Sequence, residues 1–138
     1  MELGLFSQAA HCFSTARRAL IAVANEPAEL ASAAGALDPQ VVAASIASIE
    51  AHQAAVLSRT GRSEAAETLF VGAADQLERC VQRLGETQES SLLVVQVMRA
   101  RVLRLQAKHH EARGRVDEAA ASREQATGLE AKYGFASA

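Results

Sequence analysis

A chain of 138 residues is long enough for one domain with a buried core. Two prolines, four phenylalanines, one tyrosine and no tryptophan leave little material for strands, and the dominant alanine, with Leu, Glu, Gln and Arg, favours helix. A net charge of -2 argues against a general nucleic-acid binder, which would be clearly basic.

Hydrophobic periodicity predicts five helices. The first covers about 6–24, with Phe6, Ala9, Ala10, Phe13, Ala16, Leu20 and Val23 on one stripe. Asn25-Glu26-Pro27 ends it, because the residue before a proline avoids the helical region. The segment 25–38 is the longest connection and the natural place for a loop. Asp38-Pro39 then supplies an N-cap and a first helical residue for a second helix over about 39–60. Gly61 breaks that helix, and Ser63 is the expected cap of a third over about 64–84. Gly85 separates it from a fourth over about 87–112, which opens on the apolar run SSLLVVQVM, and Gly114 from a fifth over about 116–132. In the tail, Tyr133 and Phe135 are placed to fold back on the last helix. Long helices with short connections form an antiparallel all-α array.

Cys12 and Cys80 show neither metal-ligand spacing nor disulfide density, which fits buried thiols in a reducing compartment. No run approaches the roughly 18 uninterrupted apolar residues of a membrane span, and the start MELGLF lacks the basic region of a signal peptide. Together these features predict a cytoplasmic protein without membrane insertion.

One spacing recurs. Gly61, Ala66, Phe70 and Ala73 repeat the frame of Gly4, Ala9, Phe13 and Ala16, and Gly114, Ala119, Arg123 and Ala126 follow it again. Glycine permits a tight turn, alanines permit close helix approach, and an aromatic fills the gap between neighbouring pairs. The frame resembles the tetratricopeptide repeat. Its glycines stand 57 and 53 residues apart, longer than that family's unit, and Ala55–Leu84 with Val97–Gln106 resembles the three-helix MIT domain. The resemblance implies helical hairpins lining a groove for a partner's peptide or amphipathic helix. For the MIT-like case it implies tail helices of membrane-remodelling filament proteins. The chain opens on the second half of such a unit, which reads as a fragment of a longer protein or invites a partner helix or homodimer.

Chemistry is sparse. No glycine-rich phosphate loop, HExxH, GxSxG or CxxC is present. His109 and His110 are adjacent and diverge on a helix, so they do not converge on one metal, and an exposed or rim position is expected for them. The sequence therefore predicts a non-enzymatic protein without cofactor or metal.

Arg101, Arg104 and Lys108 fall on one helical face. The resemblance puts them on the groove wall; the equivalent positions counted back from Gly61 are Ser48, Ala51, Ala55, Ser58 and Arg59, nearly all small, with Ser48, Ala51 and Ala55 as the surface a partner would pack against. Such a groove suits an acidic peptide or helix; the bland alternative is a solvated face, and contact with anionic lipid or RNA lacks aromatic support. The expected function is a protein-interaction module. A homo-oligomerisation or scaffold domain and a small-ligand-sensing helical domain are the alternatives.

Overall fold

The computed structural model describes residues 38–85 and 88–136, and within them every regular element is a helix. Four follow in chain order: α1 Pro39–Arg59, α2 Ser63–Leu84, α3 Glu89–Ala112 and α4 Val116–Tyr133. These are the second to fifth expected helices, with ends shifted by no more than two residues. The expected helix over 6–24, the connection 25–38 up to residue 37, and Cys12 lie outside the described residues.

Each start and stop has a local cause. Asp38 caps α1, its Oδ1 accepting from the Gln40 amide at 2.8 Å, and Pro39 occupies the first turn where its missing N–H costs nothing. At the other end Gly61 takes φ 83°. There the Arg62 amide donates to Leu57 O at 2.8 Å and the Gly61 amide to Ser58 O at 3.4 Å. Helix α3 closes in the same way: Gly114 has φ 73°, the Arg115 amide donates to His110 O at 2.8 Å, and the Gly114 amide to Glu111 O at 3.0 Å. This is the Schellman closure, in which a left-handed residue turns the chain back and satisfies carbonyls that the helix leaves open. The closure also displaces the expected cap. The residue after the glycine ends the old helix, so Arg62 stands at the N-cap without a side-chain bond and Ser63 is already helical.

The two turns produce two hairpins, α1–α2 and α3–α4, and α3 packs against all three other helices. Alanines explain the intimacy of the first pair. Ala44, Ala47, Ala51 and Ala54 recur every three or four residues on α1 and are fully buried. They face a stripe of larger side chains on α2, including Phe70, Leu77, Cys80 and Leu84. Small on one side and large on the other lets the helix axes approach while the interior stays filled. Burying Phe70, which is 1 % exposed, stabilises the fold by roughly 2–3 kcal/mol. Burial pushes the Cys80 thiol above its ordinary pKa, with Asp38 adding to the rise and Arg83 opposing it.

A smaller cluster holds α4 to α3 through Ala100, Leu103 and Ala126, with Leu129 and Phe135 packed against it. Phe135 thus folds back as the sequence suggests. Gly134 in the left-handed region permits it, and the Phe135 amide donates to Glu130 O at 3.1 Å. Helix α1 is also long and apolar enough to cross a membrane by length and composition, with a mean hydropathy of 1.3. Glu50, His52 and Gln53 interrupt it near the middle, and its alanine face is taken by α2 and α3.

Candidate functional site

Chemistry concentrates at the end of the molecule where both hairpins turn. Ser58 sits in the last turn of α1, Glu67 in the second turn of α2, and His109 in the last turn of α3. His109 is 2 % exposed, and both its ring nitrogens are engaged: Nδ1 lies 2.8 Å from Ser58 Oγ and Nε2 lies 2.7 Å from Glu67 Oε2. A carboxylate only accepts, so Nε2 carries the proton of the neutral ring and Nδ1 accepts from the Ser58 hydroxyl. The Phe70 ring covers the imidazole at 5.2 Å between centroids.

Glu67 has further partners. Arg115 Nη1 donates to its Oε1 at 2.9 Å, and Arg113 Nη1 lies 3.6 Å from Oε2. Partial burial raises its carboxyl pKa, but hydrogen bonds from His109 and Arg115 and the charge of Arg115 outweigh burial and hold it below its ordinary value. One network therefore joins the ends of α1 and α3, the start of α2 and the α3–α4 turn. Next to it His110, 9 % exposed, has Nδ1 3.3 Å from Glu118 Oε2 but without hydrogen-bond geometry.

Both histidines are therefore buried, which corrects the expected exposed or rim position. The cause is tertiary: the α1–α2 hairpin lies over this end of α3 and presents Ser58 and Glu67 to the ring. These contacts span 51 and 42 residues of chain, so no local motif carries them. Among the described residues, no group of three His, Cys, Asp or Glu side chains is placed to hold a metal ion.

Between α1 and α3 a cleft of about 170 Å³ opens onto Ser58 and His109. Ala55, Leu105 and Ala112 give it an apolar lining, and Arg59 and Lys108 are exposed at its edge. Of the six residues expected to bind a peptide, Ala55 and Lys108 meet here. Ser48 is half-buried on α1, two turns away, its carbonyl accepting from His52 Nδ1 at 2.8 Å. Ala51 is not a groove residue at all: it is completely buried in the core, because α2 and α3 close over that part of α1. Arg104 turns toward α4, where its guanidinium donates to Glu130 and lies 3.5 Å from Thr127 Oγ1. Arg101 is exposed and lies outside the cleft lining. The expected cationic wall is thus divided, with Lys108 facing α1 and Arg104 committed to α4.

Comparison with family models, curated proteins and solved structures gives no match to this chain.

Proposed function

We propose that this chain is a non-enzymatic protein-interaction module of tetratricopeptide-like or MIT-like helical hairpins, receiving an acidic peptide or helix of a partner between α1 and α3. The observation that carries the proposal is the cleft itself, where the small apolar wall of Ala55 meets Lys108. Small side chains let a partner's backbone or aliphatic side chains approach closely. A cation at the edge steers an acidic segment and fixes its register, while the packed surface supplies most of the affinity. The identical Schellman closures of the two hairpins and the packing of Phe70 against His109 of the next hairpin fit a stacked-hairpin design.

Selection from a displayed peptide library tests the proposal. Wild-type protein should enrich acidic sequences. Lys108→Glu should weaken them by about tenfold or more, equivalent to about 1.4 kcal/mol. Ala55→Leu, which fills the cleft, should block them. Enrichment that is indifferent to both substitutions would place binding elsewhere.

A second reading, self-assembly, draws on a different surface. Leu93 and Val94 are 41 % and 42 % exposed in the first turns of α3, and Leu92, Leu93 and Tyr133 line a recess of about 490 Å³. Sedimentation at rising concentration should show association that Leu93→Glu abolishes. A single monomeric species at every concentration would eliminate it.

A further inference from the structure

The Ser58–His109–Glu67 arrangement has a property that peptide binding does not use. A serine hydroxyl becomes a nucleophile when a base within hydrogen-bond reach takes its proton and a third group orients that base. Here the hydroxyl is 2.8 Å from His109 Nδ1, and the opposite nitrogen is 2.7 Å from Glu67. Glu67 is anchored in turn by Arg115 at 2.9 Å. The imidazole is sealed under Phe70, yet Ser58 and His109 both line the α1–α3 cleft. Nucleophile and base therefore meet at a surface that a small molecule reaches.

We propose that Ser58 is an activated nucleophile that accepts an acyl group from small activated esters, with His109 as its base. The cleft holds about 170 Å³, several times the roughly 30 Å³ a water molecule occupies, so an acetyl- or propionyl-sized group fits. In the first step Ser58 Oγ attacks the ester carbonyl carbon, and its proton passes to His109 Nδ1. The bond from that carbon to the leaving oxygen then breaks, and the leaving oxygen takes the proton from His109. An acyl ester on Ser58 and a free alcohol result.

Each neighbour has a consequence for this step. Glu67 is a positioning residue: it holds the tautomer that leaves Nδ1 unprotonated and stabilises the imidazolium formed in transit. Against the rise from partial burial, the hydrogen bonds from His109 and Arg115 and the charge of Arg115 keep Glu67 ionised, Arg113 lies 3.6 Å from it, and His110 with Glu118 lies next to this network. On the cleft side, Lys108 is the cation available to the developing oxyanion, with Arg59 beside it. The sequence offered no such signal, because Ser58 lies in SRTG rather than in a nucleophile motif.

Labelling of the wild-type chain is the direct test, since it needs no variant to fold. The chain is incubated separately with p-nitrophenyl acetate and with a fluorophosphonate, whose P–F bond breaks as Oγ–P forms, and adducts are located by intact mass and peptide mapping. A single adduct at Ser58 is expected with both probes, absent in Ser58→Ala. Glu67→Gln should slow acylation by at least about tenfold and change the rate–pH profile, because the base loses the group that orients it. A purely structural Glu67 would not move that profile. No adduct at Ser58 with either probe would overturn the proposal. So would a Ser58 adduct whose rate and pH profile are unchanged in Glu67→Gln with native circular dichroism.

Discussion

His109 shows how much one buried side chain can decide. It joins three helices with two short hydrogen bonds. Truncating it removes apolar contact with Phe70 and strands the partners Ser58 and Glu67 in a half-buried setting. His109→Ala should cost about 3 kcal/mol, read as a lower denaturant midpoint at unchanged slope. Glu67 gives the same network an acid limit. Its carboxyl pKa is lower in the folded chain than the ordinary 4.5 of an exposed glutamate. Its contribution to stability is therefore complete above that value and is lost as pH falls through the lower folded pKa. Melting temperature should drop across this acid range in wild type, and Glu67→Gln should show a shallower fall. At this scale the sequence was only partly legible. Asp38 declares itself as a cap from its own position before Pro39. Nothing next to His109 announces a serine 51 residues earlier or a glutamate 42 residues earlier.

Among the elements, boundaries follow from glycine and from apolar spacing, which are local signals. The four described helices therefore stand where periodicity predicts them. The Ser63 cap fails because the Schellman closure uses Arg62 to end α1, a detail of hydrogen bonding that composition does not carry. Gly61 and Gly114 adopt positive φ with no neighbouring atom in the way of a Cβ, so substitution meets backbone strain alone. Gly61→Ala and Gly114→Ala should each destabilise by about 1 kcal/mol, and Asp38→Ala by a similar amount through the lost cap, all measurable by thermal or denaturant unfolding.

At the scale of the whole molecule, hairpins meet through Phe70, the alanines of α1 and buried α3 side chains such as Val95 and Val102. Phe70 is buried against α1 and stacks toward His109 of the second hairpin. Phe70→Ala should therefore cost about 3–5 kcal/mol and, unlike the glycine substitutions, loosen one hairpin from the other. All-helical architecture was legible because composition and period agree along the chain. The proposed binding surface was legible only in part. Ala55 and Lys108 meet in the cleft, whereas helix packing buries Ala51 and an acidic residue of α4 claims Arg104. Spacing places side chains on a helical face; only the neighbouring helices decide whether that face is core, ion pair or open cleft.

Binding of an acidic peptide in the α1–α3 cleft is the function we propose for this chain. The most direct measurement is an NMR titration of the isotope-labelled chain with the best acidic peptide from library selection, followed residue by residue. Saturable shifts are expected, concentrated at Ala55, Ser58, Leu105, Lys108 and Ala112 and lost in Lys108→Glu. Shifts confined to the opposite face around Ala74, Arg99 and Gln125, or selection that yields no acidic binder at all, would contradict it.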